Sequence, residues 1–241
     1  MNSNSPSETK LSEIEFNFAN ELHPGHKLDL SDGKYWSTIR QQMRIVAYHE
    51  AGHAVAKAFV QFEFSHITHI SIIPDEQYIG RVRVERPYAE TTLKHQPPYV
   101  IRTKGKQLLL ALLAGRGAAY RVDDPNKREE ILDDWTEDWE DETSDLYRAR
   151  SIARLMSKPG RSLYSVMVQA EKWTNEMLDM PPVWKAVEDI ASALILRGVI
   201  EDNDELFGFV ENMPLAMELS KWKRRLYPSK KEHNEEFNRK G

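Results

Sequence analysis

Between Met43 and Val60 an alanine-rich apolar run carries three groups that do not belong in a core: His49, Glu50 and His53. They read H-E-x-x-H. On a helix, residues four apart stack on one face, so the two imidazoles project side by side. At that separation they can grip one metal ion. Glu50 follows the first histidine by one residue, roughly 100° round the helix. From there its carboxylate can act on a water in the open coordination position without taking that position itself. The neighbours Ile45, Val46, Ala47, Ala54, Val55, Ala56 and Phe59 place the motif in an interior. Buried there without partners, each polar group would cost about 2 kcal/mol or more. A bound Zn²⁺ removes that penalty, and the trio is the arrangement of a hydrolytic zinc site.

The rest of the ligand set follows from what the chain lacks. It contains no cysteine, so neither a thiolate metal site nor a disulfide framework can form. A catalytic zinc usually takes three protein ligands, and the third must be His, Asp or Glu. No further histidine follows His53 at the metzincin spacing. Asp145 is the leading candidate. It stands where an apolar helical pattern resumes, and a helix N-terminus favours the ionised carboxylate. The same position reads equally well as a simple N-cap. Asp141, Glu142 and Glu188 compete with it.

Periodicity lays out the elements around the motif. Residues 1–30, rich in Ser, Asn and Glu, read as a mobile or surface-draped leader that includes His23 and His26. Ser31-Asp32-Gly33 signals the start of a helix over Tyr35–Gln61. The segments Ile67–Ile73 and Ile79–Val84 alternate with period two about Pro74, which predicts two neighbouring strands or a hairpin. His66 and His69 lie three apart on a strand and face opposite sides, so they cannot chelate together. Lys104–Tyr120 has the apolar face of a helix, with Gly115 read as a close-packing position. Residues 121–145 hold twelve acids against three bases, which reads as a solvated loop or exposed helix. Trp135 and Trp139 suggest that part of it folds back. Helical patterns return from Ser144 or Asp145 to Met156, over Ser162–Leu178, from Pro181-Pro182 to Gly198, and over Asp202–Asn212. Residues 214–241 read as a charged, solvated tail.

These patterns predict a mainly α (α+β) fold: a helical, zincin-like domain over residues 31–213 with a small β-hairpin or sheet. The net charge of −5 gives no pull toward nucleic acid. No apolar run approaches the length of a membrane span. The first residues show no basic start followed by an apolar block, so a cytoplasmic protein is expected.

The same residues carry a family resemblance. Val46-Ala47-Tyr48-His49-Glu50-Ala51-Gly52-His53-Ala54 resembles the active-site helix of the FtsH-type zinc peptidases. Ile70-Ser71-Ile72-Ile73-Pro74 resembles the strand that follows it. Leu113-Ala114-Gly115-Arg116-Gly117-Ala118 resembles the family's Gly-Gly-Arg-Ala-Ala segment. Ser144-Asp145-Leu146, with Ala149, Ile152, Ala153 and Met156, resembles the segment bearing its zinc-binding aspartate. Val183 to Ile200 resembles a late helix. The order is kept over about residues 40–210. The resemblance implies that His49, His53 and Asp145 bind zinc and that Glu50 is the general base of an endopeptidase. In place of the family's acid pair stand Ala119 and Tyr120. The sequence has no G-x-x-x-x-G-K-[ST] loop. The expected substrates are therefore flexible or unfolded polypeptides, with a separate ATPase as partner and, as in the hexameric family, self-association. Two rival readings are a non-catalytic docking module on the same scaffold and a small-peptide amidohydrolase.

Overall fold

In a computed structural model, residues 12–23, 29, 31–61, 66–74, 79–85, 90–124, 144–157 and 162–227 are described. Ser12 opens helix α1, Glu13–Leu22, through a reciprocal capping box: its hydroxyl accepts the Glu15 N–H, and Glu15 accepts the Ser12 N–H at 2.8 Å. Ile14, Phe18 and Leu22 recur every four residues, and Phe18 and Ala19 are fully buried. This corrects the expectation of a mobile leader for residues 13–22. A polar composition concealed a one-sided apolar stripe.

Asp32 caps α2, Gly33–Phe59, by accepting the N–H groups of Lys34 and Tyr35 at 3.0 Å. The expected start signal is thus in use, and the helix ends two residues short of Gln61. Ala47, Ala51, Ala54 and Ala58 are buried along it. Side chains this small let neighbouring helices approach closely.

The sheet lies against this helix. β1, Ile67–Ser71, pairs antiparallel with β2, Arg81–Val84, with Ile70 opposite Val82 and Ser71 opposite Arg81. This is the strand pair read from the alternation. His66 is exposed ahead of β1. His69 is half-buried, and burial with the charges of Arg83 and Arg81 holds its imidazole below the usual range.

Among the described residues, five helices follow the strand pair before the chain returns to the sheet. After the short α3, Glu90–Leu93, comes α4, Pro98–Asp123, entered through a proline at its first position. It extends the expected helix by residues at both ends. α5, Asp145–Met156, and α6, Leu163–Leu178, begin at Ser144 and Ser162, whose hydroxyls each accept a backbone N–H three residues on. α7, Pro181–Arg197, stops at Gly198, whose φ of +79° suits glycine. That turn feeds β3, Val199–Ile200, onto the other edge of β1, giving a three-stranded antiparallel sheet ordered β2-β1-β3. A two-residue strand has too little pattern to be read from sequence. α2 packs on α4 and α7, and α4 in turn packs on α5 and α6. The fold is mainly helical with a small sheet, as expected.

α8, Asn203–Val210, is capped by Asp202 but is not the last helix. α9, Ser220–Leu226, follows, with Trp222 and Leu226 buried. The Trp222 ring meets Phe59 edge-on at 5.1 Å, the Ala216 N–H donates to the Phe59 carbonyl at 2.9 Å, and the Tyr227 hydroxyl donates to that of Val60. Residues 214–227 are therefore not a solvated tail. The charge count hid an apolar pair four residues apart. The core runs from Phe18 to Leu226, beyond both expected limits at 31 and 213. Among the described residues no helix is long and apolar enough to cross a membrane.

Candidate metal centre

His49 and His53 stand one turn apart on the inner face of α2, and their Nε2 atoms are 3.0 Å from each other. Asp145 is the first residue of α5. Its Oδ2 lies 2.7 Å from His53 Nε2 and 3.3 Å from His49 Nε2. Three donor atoms from two helices thus converge on one point. Ser144 makes this available: its hydroxyl accepts the Tyr147 N–H at 3.1 Å and does the capping. Asp145 is released from the role that the sequence left open for it. Arg148 approaches its other oxygen at 3.8 Å.

The protonation pattern says what belongs between these atoms. His53 Nδ1 is 2.6 Å from the carbonyl oxygen of Ala111 on α4. A carbonyl has no hydrogen to give, so Nδ1 carries the proton and donates it. In the neutral ring Nε2 then presents a lone pair, and it faces a carboxylate oxygen. Such an approach requires a positive charge, either a second proton or a metal ion. Burial alone would push the Asp145 carboxyl up; positive charge on His53 and hydrogen bonds with both histidines hold it well below the carboxylate range.

The donor set fits a divalent ion. Arms of about 2.0–2.1 Å set tetrahedrally put ligand atoms roughly 3.3 Å apart, against 2.7, 3.0 and 3.3 Å here. The second nitrogen of His53 is fixed by a carbonyl, the support that metal-ligating histidines usually have. The His49 and Asp145 side chains are 32% and 26% exposed, so the centre opens toward solvent on their side. Among the described residues, His49, His53 and Asp145 are the group able to hold a metal ion.

No protein-family model matches the chain, and no curated protein matches it.

Glu50 is buried and stands outside the donor triangle. Burial pushes its carboxyl up to about 7; the His49 charge opposes this, Asp145 adds to it, and the Val82 N–H on β2 stabilises the ionised form. A Cβ at Gly80 would lie 2.8 Å from Glu50 Oε1 and 2.5 Å from Val46 Cγ1. The start of β2 is thus moulded to this side chain.

Of the competing ligands, Glu188 is engaged elsewhere: it accepts the Trp184 indole N–H at 3.0 Å. Asp141 and Glu142 lie outside the described residues, as do His26, Trp135 and Trp139. His23 packs near the Tyr35 ring, with centroids 6.2 Å apart. Sequence reasoning missed the Ala111 carbonyl and the Val82 N–H, because backbone groups leave no residue signature. Gly115 is the close-packing position expected, but what it packs against are the two imidazoles, which the expectation did not include. Gly52 is a second such position, where a Cβ would press on Ala118 and on the Ala114 carbonyl. A glycine inside a helix costs about 1 kcal/mol against alanine, which was the available signal.

Proposed function

We propose that this protein is a zinc-dependent endopeptidase that acts on flexible or unfolded polypeptides. One observation carries the reading. A buried carboxylate with its affinity for protons raised to about neutrality stands beside, not within, a three-donor metal centre. A purely structural metal site has no use for such a group. The resemblance of the α2, α4 and α5 segments to the FtsH-type peptidases supports the same conclusion.

His49, His53 and Asp145 would hold the zinc. Zinc bound there supplies a Lewis acid that polarises a carbonyl and lowers the pKa of water to about 7. Glu50 accepts a proton from the attacking water and returns it to the leaving amine. A carboxyl near 7 suits both halves of that task, since it takes and releases protons at neutral pH. The Val82 N–H and the space at Gly80 keep its oxygens aimed. The exposed side of His49 and Asp145 is the approach for substrate.

The test is cleavage of a permanently unfolded protein before chelation, after chelation and after zinc is restored. Activity that disappears and returns supports the reading. A zinc-loaded protein that cuts no polypeptide overturns it, and one that cuts only dipeptides replaces it with a small-peptide amidohydrolase. Addition of a separate ATPase distinguishes an enzyme that needs an unfolding partner from one that does not.

A further inference from the structure

We infer that Gly115 on α4 is a positioning residue for the metal: its missing side chain is the space in which the two imidazole nitrogens converge. The inference rests on the metal-binding part of the proposed function and is independent of peptidase activity.

An added Cβ at residue 115 would lie 2.6 Å from His53 Cε1 and 2.9 Å from His49 Nε2, and closer still to His53 Nε2. Two of these, the Nε2 atoms of His53 and His49, are the donor atoms themselves, so the contact cannot be relieved by moving an idle part of the rings. His53 cannot turn away freely, because its Nδ1 is anchored to the Ala111 carbonyl. The backbone of α4 cannot retreat either. Its neighbours Leu113, Ala114 and Ala118 are buried, and Ala114 already sits against Gly52 of the opposing helix. Ala111 and Gly115 are one turn apart on α4 and share a face. The first aims the imidazole and the second clears the space it aims into. The histidine-bearing helix is then only half of the centre. α4 supplies the other half with a carbonyl and a void, and contributes no ligand.

The experiment compares wild type, Gly115→Ala, His53→Ala and the double variant. Zinc affinity is read by competition with a chromophoric chelator, and site geometry by the visible spectrum of the cobalt(II) form. Gly115→Ala is expected to lower zinc affinity by about 10- to 100-fold, the effect of losing a group that supports a ligand, and to lose the tetrahedral cobalt spectrum. Metal-free melting gives an independent readout. The substitution should lower the melting temperature when His53 is present and lower it less in the His53→Ala background, because one of the two colliding rings is gone. That pattern holds even if the single variant fails to fold and the double variant folds. Zinc affinity within threefold of wild type with an unchanged cobalt spectrum would overturn the inference, as would an equal loss of stability in both backgrounds. Wild-type protein that binds no zinc overturns the metal reading itself, and this inference with it.

Discussion

The Asp145 carboxylate stands 2.7 Å from His53 Nε2, although the two residues are ninety-odd positions apart and come from different helices. The first prediction tests that approach. Asp145→Asn keeps the shape and removes the charge. Structural zinc sites with four ligands are worth about 10–16 kcal/mol, or roughly 3–4 kcal/mol per ligand. Zinc affinity should therefore fall by about 10²–10³, measured by chelator competition. An unchanged affinity would mean that the third ligand lies elsewhere.

Glu50→Gln should separate binding from chemistry. Zinc stoichiometry should survive, while cleavage of unfolded protein falls by about 10²–10⁴, the usual contribution of a general base. Persistent cleavage would remove Glu50 from that role.

The same variant has a stability signature in metal-free protein. The Glu50 carboxyl is raised from 4.5 to about 7. The folded state therefore holds a proton that the unfolded state releases across that window. The stabilising contribution is complete below about 4.5, declines as pH rises, and is gone above about 7. The full excursion is up to about 3 kcal/mol. Denaturant titrations with a chelator should show wild type losing stability from pH 5 to 8 relative to Glu50→Gln. Parallel profiles would contradict the burial argument.

Gly52 and Gly115 look alike in sequence and should behave differently. At Gly52 an added Cβ meets the Ala114 carbonyl and lies 2.9 Å from the Ala118 Cβ. The obstacle is the spine of α4. Gly52→Ala should cost about 1–3 kcal/mol from overpacking, lowering Tm by about 2–12 °C. Calorimetry of metal-free protein would show this without reference to zinc. An unchanged Tm would mean that the two helices can move apart.

Trp222→Ala should destabilise by about 3–5 kcal/mol, the range for buried aromatic truncation. Equilibrium unfolding measures it, and a loss below 1 kcal/mol would return α9 to the surface. Glu176 holds α9 as well, accepting hydrogen bonds from Arg225 at 2.6 Å and Lys221 at 2.8 Å. The Arg225 bond, followed by Lys221, keeps its carboxyl below the usual range against the pull of burial. Its contribution is therefore present above about 4.5 and fades on further acidification. It is small because the pair is partly solvated.

Much of the site was legible because its specificity sits in side chains at fixed helical spacing. His49, Glu50 and His53 occupy one turn of α2, and Asp145 opens α5 as expected. What escaped was carried by other means. Ala111 acts through its carbonyl and Val82 through its amide, and neither depends on residue type. Gly115 acts through absent atoms. α1 and α9 were hidden because Ile14–Phe18–Leu22 and Trp222–Leu226 lie among charges, and charge counts ignore which side of a helix a residue occupies. β3 exists only because β1 offers it an edge.

The seal at the end of α2 has a consequence for timing. All three candidate donors are made by residue 145, yet the carbonyls of Phe59 and Val60 are tied down by Ala216 and Tyr227. A chain emerging from the ribosome carries its whole ligand set long before the segment that locks the ligand-bearing helix. Contacts of such long sequence separation are slow to form, because the loop between them must close first. Under the proposed function, that order would keep a nascent molecule from completing its hydrolytic centre while its own unfolded length is still within reach.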